Sequence, residues 1–265
     1  MNTKEMRIDI LRMALAAKSQ GAHLGGSLSM VEIMAALYGS VMKLDPGNME
    51  NKYRDRLVIS KGHGVMAQYV ALKQLGLLTE EQLLTYKSNN TAVNAHPSVN
   101  AALGIEFAGG SLGQGLSLGV GLALALRCKG NAASRVFVVL GDGECDEGSV
   151  WEAAMSASHY ALNNIVTIVD RNGLQYDGPT EDILALADLE AKWKSFGWNA
   201  VTVNGHDVDA LVNALSARPG RPLAIVAETV KGKGVSFMEH AAQWHNGVVT
   251  QRIFDQAMAE LEAES

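Results

Sequence analysis

The chain is poor in cysteine. Cys128 and Cys145 are its two in 265 residues, which excludes a disulfide framework and points to a reducing, cytoplasmic compartment. It has no basic excess either. Twenty-two lysines and arginines against 28 acids leave a formal net charge of −6, so there is no electrostatic footprint for nucleic acid or for an anionic membrane surface. The most apolar stretch reads as Leu116 to Leu126, contains glycines and is far short of a bilayer span. The first residues, Met1 to His23, have no apolar core ending in a cleavage site. Asp9, Arg12 and Lys18 interrupt them, so they read as an amphipathic helix rather than a leader. Internal repeats, low-complexity tracts and dividing linkers are also missing, which predicts one domain over residues 1–265. What the chain has in quantity is glycine, 27 residues, clustered at Gly109–Gly121 and Gly141–Gly148, where the backbone can approach a ligand closely.

Hydrophobic spacing predicts a helix over Met6–Ala17. Ser29 with Glu32 three residues on makes a capping-box pattern for a helix over Met30–Tyr38. Arg56–Ile59 reads as a strand and Val65–Leu75 as a helix. From Arg135 onward strands and helices alternate. Val136–Leu140 and Ile165–Val169 are continuous β-branched runs, the signature of strands buried on both faces. Between them Ser149–Leu162 reads as a helix with Trp151, Ala154, Met155 and Ala157 on its apolar side. Helices over Asp188–Phe196 and Val208–Ala217 follow, with strands over Asn199–Val203 and Leu223–Ala227. Val249–Glu264 reads as a last amphipathic helix. The pattern predicts an α/β fold, a doubly wound parallel sheet flanked by helices with its ligand site at the carboxyl ends of the strands.

Asp142 directly follows one buried strand, between Gly141 and Gly143, and Asn172 follows the next, thirty residues later. A carboxylate and an amide oxygen facing one crevice suit a hard divalent cation that takes its other ligands from phosphate. Either element alone also reads as a helix cap or an ordinary turn; the pair in register after consecutive strands favours the cation.

Gly141-Asp142-Gly143 followed by Asn172 resembles the thiamine diphosphate motif, and the surrounding segments resemble the transketolase family. Those segments are Arg54 to Gly64 (RDRLVISKGHG), Gly110 to Gly115 (GSLGQG), Gly141 to Gly148 (GDGECDEG) and Trp151-Glu152-Ala153, with the likeness running from His23 to His245. The resemblance implies a thiamine diphosphate-binding fold with Mg²⁺ held by Asp142, Asn172 and the Leu174 carbonyl. It implies that Gly141 and Gly143 lie against the diphosphate, with the Gly143 N–H turned to it, and that Gly110 and Leu112 line the organic part of the cofactor. His63 and His245 would bond the diphosphate, and His23 and His96 would face substrate hydroxyls. Glu147 and Glu152 would join a carboxylate network across a subunit interface. An inserted Asn246 separates His245 from Gly247, which leaves His240 as a second candidate for the C-terminal histidine. His159 and His206 match nothing and read as structural. Cys145 reads as a packing residue.

The resemblance covers only the diphosphate-binding domain of that family. It implies one half of a split transketolase: an enzyme transferring a two-carbon ketol unit from a ketose to an aldose, active with a partner chain carrying the pyrimidine-binding domain, in an α2β2 heterotetramer. The apolar loop Phe107–Leu118 would be buried on assembly. Other thiamine enzymes, a deoxyxylulose-phosphate synthase or a component of a 2-oxo acid dehydrogenase, share the metal motif. A non-catalytic cofactor-binding subunit is a further alternative. A nicotinamide dehydrogenase fits poorly. Gly113, Gly115 and Gly119 imitate a dinucleotide loop, but no β-branched strand leads into them and no acid suited to a ribose follows.

Overall fold

The computed structural model describes residues 1–131 and 133–263. The strands are β1 (Arg56–Ile59), β2 (Val136–Gly141), β3 (Ile165–Arg171), β4 (Asn199–Asn204) and β5 (Leu223–Glu228). All pair in parallel, in the order β1-β2-β3-β5-β4. Successive side chains on a strand point to opposite faces, and the apolar runs use both. In β2, Phe137 and Val139 enter one core, while Val136, Val138 and Leu140 enter the other. In β3, Val166 and Ile168 oppose Ile165 and Val169 in the same way.

The helices are α1 (Thr3–Ala16), α2 (Leu24–Leu28), α3 (Val31–Ala36), α4 (Met66–Gln74), α5 (Glu80–Leu83), α6 (Gln114–Cys128), α7 (Gly148–His159), α8 (Thr180–Ile183), α9 (Leu189–Ser195), α10 (Val208–Ser216) and α11 (Gln251–Ala263). Residues of α1 to α5, α10 and α11 fill the core on one face of the sheet, and residues of α6, α7 and α9 fill the other. Asp188 and Asp207 cap α9 and α10, accepting the Ala191 and Ala210 N–H groups at 2.9 Å each. Helix α6 sits unusually close to the sheet. A Cβ on Gly119 would stand 2.5 Å from Val138 Cγ2, and one on Gly115 would overlap the Ser60 side chain, so these two glycines set the spacing that carries the preceding loop over the strand ends.

Three expectations change. Ser29 caps no helix: α3 starts after Met30 without a side-chain cap, and Ser29 Oγ donates instead to Asp170 Oδ2 at 2.7 Å. Glu32 binds Arg7 and His206, so the capping-box pattern is coincidental. Met155 faces outward, 53% exposed, because α7 turns Val150, Ala153, Ala154 and Ala157 to the sheet. A longer apolar stretch than Leu116–Leu126 exists. Leu24–Val41 is long and apolar enough to cross a membrane by length and composition, but 83% of it is buried inside the molecule, as a core helix is. The other predicted elements lie within a few residues of their positions. Glu264 of the last helix lies outside the described residues, and the predicted loop Phe107–Leu118 is already helical from Gln114.

Candidate active site

Because the strands run parallel, their carboxyl ends share one edge. Gly141 of β2 pairs with Asp170 of β3, so Asp142 and Asn172 leave the sheet side by side. They line a cavity of about 280 Å³ together with Gly110, Leu112, Gly141, Gly143, Leu174, His23, His63, His96 and His245. Nearly every residue singled out from the sequence thus reaches one cavity. Glu147 and Glu152 do not. They are exposed at the start of α7 and outside the lining. His240 is exposed and outside it as well, so of the two C-terminal candidates His245 is the one in the cavity. An antiparallel bridge explains this: the Ala22 N–H donates to Gly247 O at 2.8 Å, and the Gly247 N–H donates to Ala22 O at 3.0 Å. That bridge closes the C-terminal segment onto the residue before His23.

The His23 ring lies 5.6 Å from His63, 5.5 Å from His96 and 5.8 Å from His245, and His63 stacks on His245 at 4.9 Å. Tyr176, 70% exposed, meets His245 edge-on at 5.2 Å. Burial disfavours the charged imidazolium throughout. Burial, then His96, Lys87 and Lys231, lower His23 to about 4. Burial, then Lys231, His23 and Lys61, lower His245 to about 4. Burial followed by Lys61 pushes His63 well below its ordinary value. These are neutral hydrogen-bonding rings at neutral pH, able to take or give a proton once an anion enters. In the metal-free chain the ring signals of His23 and His245 are expected not to titrate between about pH 5.5 and 8 by NMR. A midpoint near the ordinary histidine value for either ring would contradict the site geometry.

Asp142 Oδ1 accepts the Gly143 N–H at 2.9 Å, and Oδ2 accepts the Gly173 N–H at 2.6 Å. Here the Gly143 N–H, expected to face a diphosphate, is turned to its neighbour's carboxylate. Burial and the Asp170 charge raise the Asp142 carboxyl above its ordinary range, an environment that rewards a cation. Asn172 Nδ2 donates to Asp170 Oδ2 at 3.1 Å, which fixes Oδ1 as the acceptor end of the amide, where it takes the Leu174 N–H at 3.2 Å. Leu174 O accepts from Lys231 Nζ at 2.8 Å, so an ammonium already stands where a cation is expected. Among the described residues no group of three His, Cys, Asp or Glu side chains could hold a metal alone. An all-oxygen set with one carboxylate fits Mg²⁺ that completes its shell from an anionic ligand. His23 Nδ1 is buried without a hydrogen-bond partner among the described residues, a polar atom waiting for one.

Sequence reasoning missed four groups. Lys61 and Lys231 line the cavity and give it positive charge; burial, then Lys61, lower Lys231 to about 8. Asp170 lies beneath, fully buried, accepting from Lys61, Ser29, Asn172 and Thr229. Glu144 accepts from Ser60 Oγ, from the Gly113 N–H at 2.8 Å and from the Gly141 N–H at 3.1 Å, tying the glycine loop to the strand ends. The available signal was an acid continuing a doubly buried strand, Asp170 after Val169, which needs a buried cation nearby.

The sheet and cavity define an α/β ligand-binding domain with its site at the carboxyl edge. Residues 3–260 match the family described as transketolase, thiamine diphosphate binding domain, and the chain belongs to that family. It is 42% identical over 245 residues to the 6-deoxy-6-sulfo-D-fructose transketolase subunit SqwG of Clostridium sp. (strain MSTE9), covering 91% of this chain and 89% of that one. It is 38% identical over 248 residues to an apulose-4-phosphate transketolase subunit of Phocaeicola vulgatus, covering 92% of this chain and 87% of that one. The transketolase from Leishmania mexicana superposes with a TM-score of 0.87 at 27% identity, over 99% of this chain and 41% of that chain. The chain is therefore the N-terminal, thiamine diphosphate-binding part of a transketolase-type transferase.

Proposed function

We propose that this chain is the diphosphate- and metal-binding subunit of a two-subunit transketolase. The reading rests on one observation: Asp142, Asn172 and the Leu174 carbonyl share a cavity with His23, His63, His96 and His245. Asp142, Asn172 and Leu174 O would hold Mg²⁺. Lys231, His63 and His245 would face the diphosphate, and Gly110 and Leu112 the organic part. Thiamine diphosphate held there would supply the electron sink that ketol transfer needs. His23, His96 and His245 bind substrate hydroxyls and move protons, which neutral imidazoles do in either direction. A cavity of about 280 Å³ is at the small end for a ligand site, in keeping with a cofactor shared with a partner.

That partner carries the pyrimidine-binding domain, in an α2β2 assembly, and Glu147 and Glu152 on their exposed turn belong to its interface. The two similar subunits are named for a sulfonated and a phosphorylated ketose, so the donor here is a ketose with an anionic distal end. Ketol transfer is expected from the mixture of this chain and its partner with Mg²⁺ and thiamine diphosphate, and not from either alone. Full activity of the isolated chain would refute the two-subunit reading.

A further inference from the structure

Lys231 reaches the cavity from a tight turn, Val230–Lys233, in which the Lys233 N–H donates to Val230 O at 3.2 Å. Both ends of the turn are held from outside by one buried carboxylate. Glu32, 5% exposed, takes Arg7 Nη2 on Oε1 at 2.7 Å and His206 Nδ1 on Oε2 at 2.9 Å. Arg7 Nε donates onward to Lys233 O at 3.0 Å. His206 Nε2 accepts the Val230 N–H at 2.8 Å. A ring nitrogen that accepts an amide N–H carries no proton, so the proton sits on Nδ1 and is donated to Glu32. Glu32 thereby sets both the orientation and the tautomer of His206. The fit is close: Gly234 lies at φ +93°, and a Cβ there would stand 2.6 Å from Arg7 Cδ.

Resting on the diphosphate reading of the cavity, we propose that Glu32 and His206 are positioning residues that clamp the Val230–Lys233 turn and aim the Lys231 ammonium at the anion-binding edge of the cavity. Neither touches the cavity. They act through Lys231, whose Nζ lies 2.8 Å from Leu174 O and 3.1 Å from His245 Nδ1.

The test is a double-mutant cycle on the full-length chain with Mg²⁺ and inorganic pyrophosphate as the probe, read by calorimetry. His206→Phe removes both ring bonds. His206→Gln keeps an oxygen to accept the Val230 N–H. His206→Phe is expected to weaken pyrophosphate binding about tenfold, as loss of an orienting partner does, and His206→Gln to restore it to within about threefold. Lys231→Met is expected to weaken binding about tenfold or more, and His206→Phe to add nothing in that background, because coupled residues are not additive. Amide exchange at Val230 should quicken in His206→Phe while Val138 and Ile168 are unchanged. Additive losses, or full binding by His206→Phe where Lys231→Met has lost it, overturn the clamp. Unimpaired pyrophosphate binding by Lys231→Met instead overturns the reading of the cavity. If His206→Phe does not fold, Glu32→Gln runs the same cycle, since an amide cannot accept from both Arg7 and His206.

Discussion

Asp142→Asn is expected to weaken binding of Mg²⁺ and thiamine diphosphate to the assembled enzyme by more than about 100-fold, and Asp142→Ala to abolish it. Loss of a residue that only orients a metal ligand costs about 10- to 100-fold, and Asp142 is the one carboxylate among the three proposed donors. The amide and the carbonyl that remain carry no charge to balance a divalent ion. Asparagine is the sharper variant because Asp142 also serves the fold. It accepts the Gly143 and Gly173 N–H groups, and alanine would leave both without that acceptor, at about 1–3 kcal/mol for a buried one. The Asp142→Asn side chain keeps one acceptor oxygen and nearly the same volume, and its NH₂ faces only one of the two N–H donors, at about 1–3 kcal/mol. The expected result is therefore a melting temperature lowered less than in Asp142→Ala, with cofactor affinity lost in calorimetry. Affinity within about threefold of the unaltered enzyme would remove Asp142 from the metal site.

The parts of this site legible in the sequence are those whose cause is local. Val136–Leu140 and Ile165–Val169 announce strands because a run buried on both faces must be apolar throughout, and Asp142 and Asn172 then follow from where those strands stop. The glycine loop is legible for the same reason, since close backbone approach excludes side chains. What was illegible depends on partners far along the chain. Ser29 and Glu32 stand at capping-box spacing, yet Ser29 bonds Asp170, 141 residues away, and Glu32 bonds His206, 174 residues away. A hydroxyl held by a buried carboxylate, and a carboxylate held by a guanidinium and a ring N–H, are drawn away from the local N–H groups of a capping box. The choice between His240 and His245 was equally closed to local reading, because it is made by the bridge between Ala22 and Gly247. His206 read as structural; its ring is indeed fully bonded, and its partners are what give it a bearing on the cavity.

Asp170→Ala is expected to lower stability by about 3–5 kcal/mol, the cost of leaving a buried partner charge uncompensated. Asp170 is fully buried and the Lys61 side chain is 2% exposed, so water cannot replace the missing carboxylate. Burial raises the Asp170 carboxyl, but the Lys61 charge and the bonds from Lys61, Thr229 and Ser29 outweigh it and hold the group below its ordinary range. The isosteric Asp170→Asn also fails. The carboxylate receives donors on both oxygens, from Lys61, Ser29 and Asn172 on Oδ2 and from Thr229 on Oδ1. An amide would set its own NH₂ against one of these donors, at about 1–3 kcal/mol for each polar group left unpaired. Adding Lys61→Met to Asp170→Ala removes the stranded cation and should recover about 1–3 kcal/mol relative to the single variant. Urea unfolding measures this directly as the shift in midpoint at constant slope. Recovery of stability without recovery of cofactor binding is the expected pattern, because Asn172 has then lost the acceptor that orients its amide in the proposed metal site and the cavity has lost one of its two lysines. A double variant no more stable than Asp170→Ala would mean that the pair is not the support on which the loop carrying Asn172 rests.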